Sequence, residues 1–129
     1  MIKKLVMYDK TLLKEKLTQI LEALLKIQRR SSQIQTPADF VRDDRGGDLL
    51  DAIAMMLIAI GDGFKKIDKE TSGSLLDRYP QIDWQGVKGI RDILAHHYFD
   101  INPDIIFNIC QEKLPSLIET VRAMMAELD

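Results

Sequence analysis

The chain has 129 residues, of which 46% are hydrophobic and 29% charged, so it is expected to fold as one soluble globular domain and not to be disordered. The net charge of -2 argues against a protein that binds nucleic acid through a broad basic surface, although it leaves room for a small local site. The longest apolar run, residues 52–61, is too short to span a membrane, and no signal peptide is visible. The lone Cys110 cannot form an internal disulfide. Together these observations indicate a cytoplasmic protein.

The first predicted element is an amphipathic helix that begins after Asp9, a residue suited to cap it. Its apolar residues recur at steps of three and four and form a narrow seam: Leu13, Leu17, Ile20, Leu24 and Ile27. A short helix is predicted at "TPADF", residues 36–40, where a threonine cap precedes a proline at the first helical position.

The second long helix is the most hydrophobic part of the chain. Residues 49–60 are apolar around much of the helix circumference, which is typical of the most buried helix of a bundle. Gly46 and Gly47 are expected to break the helical pattern before it, and Ser72 and Gly73 to mark its end.

Two more long helices are predicted, one from Trp84 to Tyr98 and one from Pro103 to Leu128. Asn102 is the expected cap of the last helix, and Pro115 should kink it. No segment alternates with the two-residue period of a strand. The sequence therefore predicts an all-α bundle of four long helices plus short connecting helices, in a single domain over residues 1–129.

A helical wheel divides the helix from Trp84 to Tyr98 into two faces. At about 100° per residue, one sector holds the apolar residues Val87, Ile90, Ile93 and Leu94 and also His97, and this sector is expected to face the core. The opposite side carries the polar residues Lys88, Arg91, Asp92 and His96 around the small Ala95. His96 and His97 are therefore not equivalent, and His97 is predicted to be a structural histidine.

The polar face has the groups of a site for a phosphate ester. Asp92 and His96 are four residues apart, so the carboxylate could orient the imidazole and raise its basicity, and Arg91 offers a fixed positive charge. The same face could equally be solvated and inactive. One helix cannot enclose a pocket, so a second surface, such as the same helix of another protomer, would have to close over Ala95.

Other kinds of site are weakly supported. His96 and His97 point about 100° apart and have no third ligand at zinc-like spacing, so no metal and no cofactor are expected. Cys110 has no neighbouring histidine in the sequence and is predicted to be a buried structural thiol.

The motif Arg91-x-x-x-x-His96-x-Tyr98, with the polar Asp92 directly after the arginine, resembles the signature of the HepT-like branch of the HEPN superfamily. The likeness extends from about residue 9 to the end, through the segments "TPADF", "AIGDGFKKIDKET", "LLDRYPQIDWQGVKGIRDILAHHYFDI" and "IFNICQEKLPSLIETV". The resemblance implies a helical bundle that forms a homodimer with the motifs of both protomers in one cleft. It also implies a metal-independent endoribonuclease, the toxin of a toxin–antitoxin pair whose antitoxin is a minimal nucleotidyltransferase of the MntA type.

The resemblance also implies a role for each motif residue. Arg91 and His96 would be the catalytic residues, Asp92 their polar support and Tyr98 the tyrosine that the antitoxin modifies with AMP. The sequence has Asp62 where relatives often have glutamate, and Asp92 where asparagine is common. RNA cleavage without metal requires a base for the 2′-hydroxyl proton and a cation for the phosphorane charge, and His96 and Arg91 suit these two tasks.

Two other functions remain open at this point. The chain could be a non-catalytic subunit that binds a nucleotide or substrate for a nucleotidyltransferase, or a bundle that only oligomerises. The presence of Arg91, His96 and Tyr98 favours a ribonuclease over a purely structural bundle. It does not separate a ribonuclease from a binding subunit, since a nucleotide cleft could use the same residues.

Overall fold

A computed structural model describes residues 9–129, and every regular element in that range is helical. The predicted all-α fold is confirmed. The α-helices are α1 (Lys10–Ser31), α2 (Asp44–Glu70), α3 (Trp84–His96), α4 (Pro103–Asn108) and α5 (Leu114–Leu128). A π-helical turn, Ile109–Lys113, joins α4 to α5, and short 3-10 helices lie at Pro37–Phe40, Leu76–Arg78 and Tyr98–Asp100. The prediction that no signal peptide is present rests on the stretch "MIKKLVMYDK", of which residues 1–8 lie outside the described residues.

Helix α1 forms as its sequence predicts. The Asp9 carboxylate accepts a hydrogen bond from the backbone N–H of Leu12 at 3.1 Å, which satisfies one of the free donors of the first turn. The predicted apolar seam is buried along its whole length: Leu13, Leu17, Ile20, Leu24 and Ile27. Each such side chain contributes about 1.5–3 kcal/mol when it leaves water, so this seam is a main source of stability.

Helix α2 begins earlier than the sequence suggests. Asp43 caps it by accepting from the N–H of Gly46 at 2.8 Å, so the prediction that Gly46 and Gly47 break the helix is wrong. Gly46 is buried, and a Cβ there would lie 2.0 Å from the carbonyl oxygen of Asp39. The glycine is therefore needed for a close backbone approach, which a sequence pattern does not reveal.

The other helix ends follow the predictions more closely. Helix α2 ends at Glu70, and the next turn contains Ser72 and Gly73 with φ of 51° and 79°, a conformation that favours glycine. The Asn102 side chain caps α4 by accepting from the N–H of Asp104 at 2.9 Å. The predicted interruption at Pro115 takes the form of the π-helical turn just before it, because proline cannot donate to the preceding helical turn.

The core lies where α1 packs against both α2 and α5. Helix α3 packs mainly against the C-terminal part of α2, where the rings of Phe64 and Trp84 lie 5.0 Å apart. Leu94 is the one buried residue of α3, and Ile93 is 53% exposed. Helix α3 is thus attached to the side of the bundle and leaves much of its surface open.

Candidate active site

The position of α3 depends on a glycine of α2. A Cβ on Gly61 would lie 3.0 Å from the Cβ of Arg91 and 3.1 Å from the carbonyl oxygen of Val87. The two helices therefore approach closely at Gly61, and this contact sets which residues of α2 lie beside Arg91. Sequence reasoning did not identify Gly61 as a site residue; a glycine inside an apolar helix was the available signal.

Arg91 lies between two carboxylates. Its Nε is 3.2 Å from Oδ1 of Asp62 on α2, and its Nη1 donates to Oδ1 of Asp92 at 3.1 Å. The Nε atom is buried and makes no directed hydrogen bond, so its contact with Asp62 is ionic only. Within residues 9–129, Nη2 has no ion pair or hydrogen bond, which makes it the nitrogen best placed to bind a phosphate oxygen.

Asp92 also holds a lysine of α2. Its Oδ2 accepts from Nζ of Lys65 at 3.2 Å. The hydrogen bond from Lys65, followed by that from Arg91, holds the pKa of the Asp92 carboxyl below its usual value. Asp92 is therefore ionised at neutral pH, and it suits the positioning of cations better than the donation of a proton.

His96 is oriented by the main chain. Its Nδ1 lies 2.7 Å from the backbone carbonyl oxygen of Asp92. Because a carbonyl oxygen only accepts hydrogen bonds, Nδ1 carries the proton, and the lone pair of the neutral ring is on Nε2. Asp92 was expected to orient His96 through its carboxylate, and this is wrong. The contact is made by the backbone carbonyl of Asp92. The exposed ring offers Nε2 as a proton acceptor.

The prediction that His97 faces the core is wrong. His97 caps the C-terminus of α3, its side chain is 61% exposed, and its Nδ1 lies 3.6 Å from Oδ1 of Asp100. The wheel assumes that His97 is helical, whereas the helix ends at His96, and the 53% exposure of Ile93 shows that this edge of the apolar sector is not covered within the described residues. The apolar sector of α3 is only partly core.

Tyr98 lies beyond the end of α3. The helix was expected to continue to this residue, but it ends at His96, and Tyr98 begins a 3-10 turn. The inference that Tyr98 and Arg91 point the same way requires a continuous helix and no longer applies. Tyr98 is 53% exposed and makes an edge contact, 5.8 Å between ring centroids, with the fully exposed Phe99. Its phenol can be reached from solvent.

One protomer leaves this polar surface open. Asp62, Lys65, Arg91, Asp92 and His96 come from two helices and are all at least partly exposed, as is Ala95 between them. A groove of about 380 Å³ lies on the other side of α3, between Val87 and Ile90 and the segment that contains Leu117, and none of the five polar residues lines it. A substrate bound at Arg91 and His96 would need a further surface to exclude water.

The other potential metal ligands and the cysteine do not form a second site within the described residues. Across residues 9–129 no cluster of three His, Cys, Asp or Glu side chains could hold a metal ion. Cys110 is buried as predicted, and burial raises the pKa of its thiol. No helix in the described part of the chain is long and apolar enough to cross a membrane.

Comparison with known proteins identifies the family. A family model described as "Ribonuclease HepT-like" matches residues 20–124. The chain belongs to the HepT-like family. This confirms the resemblance that the motif at Arg91, His96 and Tyr98 suggested, and it accounts for the all-α bundle as a HEPN fold.

Two relatives of the HepT-like chain carry provisional names as RNases. One, from Methanocaldococcus jannaschii, is 32% identical over 78 residues, which cover 60% of this chain and 61% of the relative. The other, from Caldanaerobacter subterraneus subsp. tengcongensis, is 30% identical over 87 residues, or 67% of this chain and 71% of the relative. The match thus spans less than two thirds of the first relative's length. No solved structure matches the chain.

Proposed function

We propose that this HepT-like chain is a metal-independent endoribonuclease that works as a single domain over residues 1–129. The observation that carries the proposal is the state of His96, whose Nδ1–H is tied to the Asp92 carbonyl while Nε2 is free, on the helix that also holds Arg91. Membership of the HepT-like family and the names of its relatives support the choice of RNA as substrate.

The proposed reaction uses the two groups in one step. Nε2 of His96 takes the proton of a ribose 2′-hydroxyl, and the 2′-oxygen attacks the adjacent phosphorus. The bond from phosphorus to the 5′-oxygen breaks, the 5′-oxygen gains a proton, and the product ends are a 2′,3′-cyclic phosphate and a 5′-hydroxyl. Arg91 stabilises the negative charge that accumulates on the phosphoryl oxygens, and Asp92 holds the guanidinium in place.

A homodimer would complete this site. The reaction requires an acid as well as a base, and one copy brings a single free imidazole Nε2 to the polar surface. A second copy of α3 across a two-fold axis would supply the second imidazole and a wall over Ala95. The open surface around Arg91 in a single protomer supports this arrangement.

The same residues support a toxin controlled by modification. In this proposal a minimal nucleotidyltransferase antitoxin of the MntA type transfers AMP from ATP to the oxygen of Tyr98, and pyrophosphate and the phenolic proton leave. Tyr98 is exposed and follows His96 by two residues. An AMP group on it would therefore add bulk and a negative charge at the edge of the site. The antitoxin would therefore block RNA binding and leave the fold intact.

A cleavage assay tests the ribonuclease directly. The purified chain is incubated with a defined RNA in the presence of EDTA, and the product ends are identified by mass spectrometry. We expect 2′,3′-cyclic phosphate ends with the wild type and none with His96→Ala. Absence of cleavage, combined with binding of nucleotides at the same residues, would instead favour a non-catalytic subunit of a nucleotidyltransferase complex.

A further inference from the structure

The C-terminal half of helix α2 carries two positive charges that no carboxylate offsets. Each of its carboxylates is paired with a cation from another helix: Asp62 with Arg91, Asp68 with Lys88 and Glu70 with Lys16. Lys65 is paired with Asp92 of α3. The remaining two lysines, Lys66 and Lys69, are exposed, and within residues 9–129 their ammonium groups make no ion pair or hydrogen bond.

The two free lysines lie on the same side of α2 as the candidate active site. At about 100° per residue, Asp62, Lys65, Lys66 and Lys69 fall within about 100° of the helix circumference. Lys66 and Lys69 lie about 6 Å and about 10 Å beyond Asp62 along the helix axis. Because Asp62 contacts Arg91, these lysines continue from the guanidinium that is to hold the scissile phosphate.

The fold itself does not account for Lys66. The helix dipole favours cations in the last turn, which contains Lys69 but not Lys66. Asp62 and Glu70 lie four residues before and after Lys66, the spacing at which side chains of a helix can pair. Both carboxylates are instead paired with cations of other helices, so the Lys66 ammonium stays free.

The unpaired carboxylates near α2 lie elsewhere. A Cβ on Gly73 would lie within 4 Å of both Asp77 and Asp68, so Asp77 is on the side of α2 that faces Lys88. Asp48 and Asp51 share the face of Lys66 and Lys69 but lie in the N-terminal half of the helix, exposed and without an ion pair within the described residues. This face is therefore positive on one side of the Asp62–Arg91 pair and negative on the other.

We propose that Lys66 and Lys69, which we call the lysine track, bind the phosphates that flank the scissile phosphate on one side of a single RNA strand. This inference rests on the proposed ribonuclease and concerns how it holds its substrate. A length of about 10 Å covers about three nucleotides at about 3.4 Å each. On the other side of the scissile phosphate Asp48 and Asp51 repel the backbone, so the protein binds only one flank.

The residues of this face favour a nucleic acid over a protein partner. Between Asp62 and Lys69 the large apolar side chains, Phe64 and Ile67, are fully buried, so the exposed positions offer no apolar centre. The core of a protein interface is usually apolar and poor in lysine. Flexible lysines that extend from a phosphate-binding arginine suit the backbone of a single strand instead.

The salt dependence of RNA binding tests the lysine track. Binding of a short fluorescent single-stranded RNA is measured by anisotropy in the His96→Ala background, which keeps the RNA uncut. For a single strand, each phosphate contact contributes about −0.7 to the slope of log association constant against log salt concentration. Lys66→Gln/Lys69→Gln in this background should make the slope shallower by about 1.4 and weaken binding at low salt by on the order of 10-fold.

Cleavage of RNAs of different lengths tests the single bound flank. The substrates share one scissile bond and are extended on the 5′ side only or on the 3′ side only. With the wild type, extension on one side should raise kcat/KM, whereas an equal extension on the other side should not. The variant Lys66→Gln/Lys69→Gln should lose the gain in kcat/KM that the extension gives.

The matched control is Lys10→Gln/Lys26→Gln, which removes two exposed lysines of α1 that have no ion pair within residues 9–129. It should keep the slope of the unaltered track, and circular dichroism checks that each variant keeps its helices.

An unchanged slope in Lys66→Gln/Lys69→Gln, an equal gain from both extensions, or absence of RNA binding would each overturn the lysine track. So would binding of polyglutamate with the same affinity and the same loss in the double variant, which would assign the lysines to an acidic protein partner. RNA that binds with the expected slopes but is not cut by the wild type would refute the ribonuclease and leave the track in place. The two failures are therefore distinct results.

Discussion

The side chain of His96 is fixed by the main chain of Asp92, with Nδ1 2.7 Å from the carbonyl oxygen, while the carboxylate of Asp92 contacts Arg91 and Lys65. One residue thus positions both groups of the proposed reaction through different atoms. The backbone carbonyl sets the tautomer of the imidazole, and the carboxylate holds the cations. Substitution at Asp92 should therefore affect Arg91 more than His96.

His96→Ala and Arg91→Ala should each abolish RNA cleavage with the fold intact. Loss of a general acid–base group costs about 10²- to 10⁴-fold in rate, and both side chains are partly exposed, so little packing is lost. His97→Ala is the matched control: because His97 is 61% exposed, it should keep its activity and change the melting temperature little. Loss of cleavage in His97→Ala with activity retained in His96→Ala would reverse the assignment of the two histidines.

Lys65→Met should raise the pKa of the Asp92 carboxyl toward its ordinary value. Lys65 is the main cause of the lowered pKa, and Arg91 remains as the second cause. A carboxyl with a lowered pKa stabilises the folded state above its unfolded pKa, and this contribution is lost as the pH falls through the folded pKa. The variant should consequently show a smaller loss of stability on acidification. NMR titration of the Asp92 carboxyl carbon measures the shift, and an unchanged pKa would contradict the contact with Lys65.

Gly61→Ala should destabilise the protein and reduce cleavage together. The added Cβ would lie 3.0 Å from Arg91 Cβ and 3.1 Å from the Val87 carbonyl, so α3 must move, at a cost of about 1–3 kcal/mol. Gly47→Ala in the same helix is the control, because nothing lies within 4 Å of its new Cβ, and it should stabilise the protein by about 0.5–1 kcal/mol. Thermal denaturation of both variants measures these two changes in stability. Equal effects at the two glycines would show that Gly61 does not set the helix spacing.

Local signals in the sequence predicted most of the fold. Asp9, Asn102 and the seam of α1 act within a few residues, so their roles follow from spacing alone. The start of α2 was missed because its two glycines suggested a helix break, whereas Gly46 serves the close approach of the Asp39 carbonyl, a group from another element. Such a contact leaves no periodic trace in the sequence.

The sequence predicted only part of the candidate site. The wheel placed Arg91, Asp92 and His96 on one side of α3. The contact of Arg91 with the Asp92 carboxylate fits this placement, whereas His96 contacts the main chain of Asp92 and not its carboxylate. The resemblance singled out Asp62 without giving its contacts, and Lys65 entered the site only in the structure. Both contacts depend on the register of α2 against α3, which is set at Gly61. The exposure of His97 also depends on how much of α3 the bundle covers.

Modification of Tyr98 should switch off the ribonuclease. With a nucleotidyltransferase partner and ATP, mass spectrometry should find AMP on the peptide that contains Tyr98, and RNA cleavage should fall in proportion to the modified fraction. The Tyr98 phenol is exposed, as transfer requires. Tyr79→Phe is the matched control: burial, with the hydrogen bond to Glu127, raises the pKa of Tyr79 to about 12, so its phenol loses its proton less readily than an ordinary tyrosine. Tyr98→Phe should remain an active ribonuclease that the partner cannot modify. AMP transfer that persists in Tyr98→Phe, or modification of Tyr98 that leaves cleavage unchanged, would refute this position as the switch.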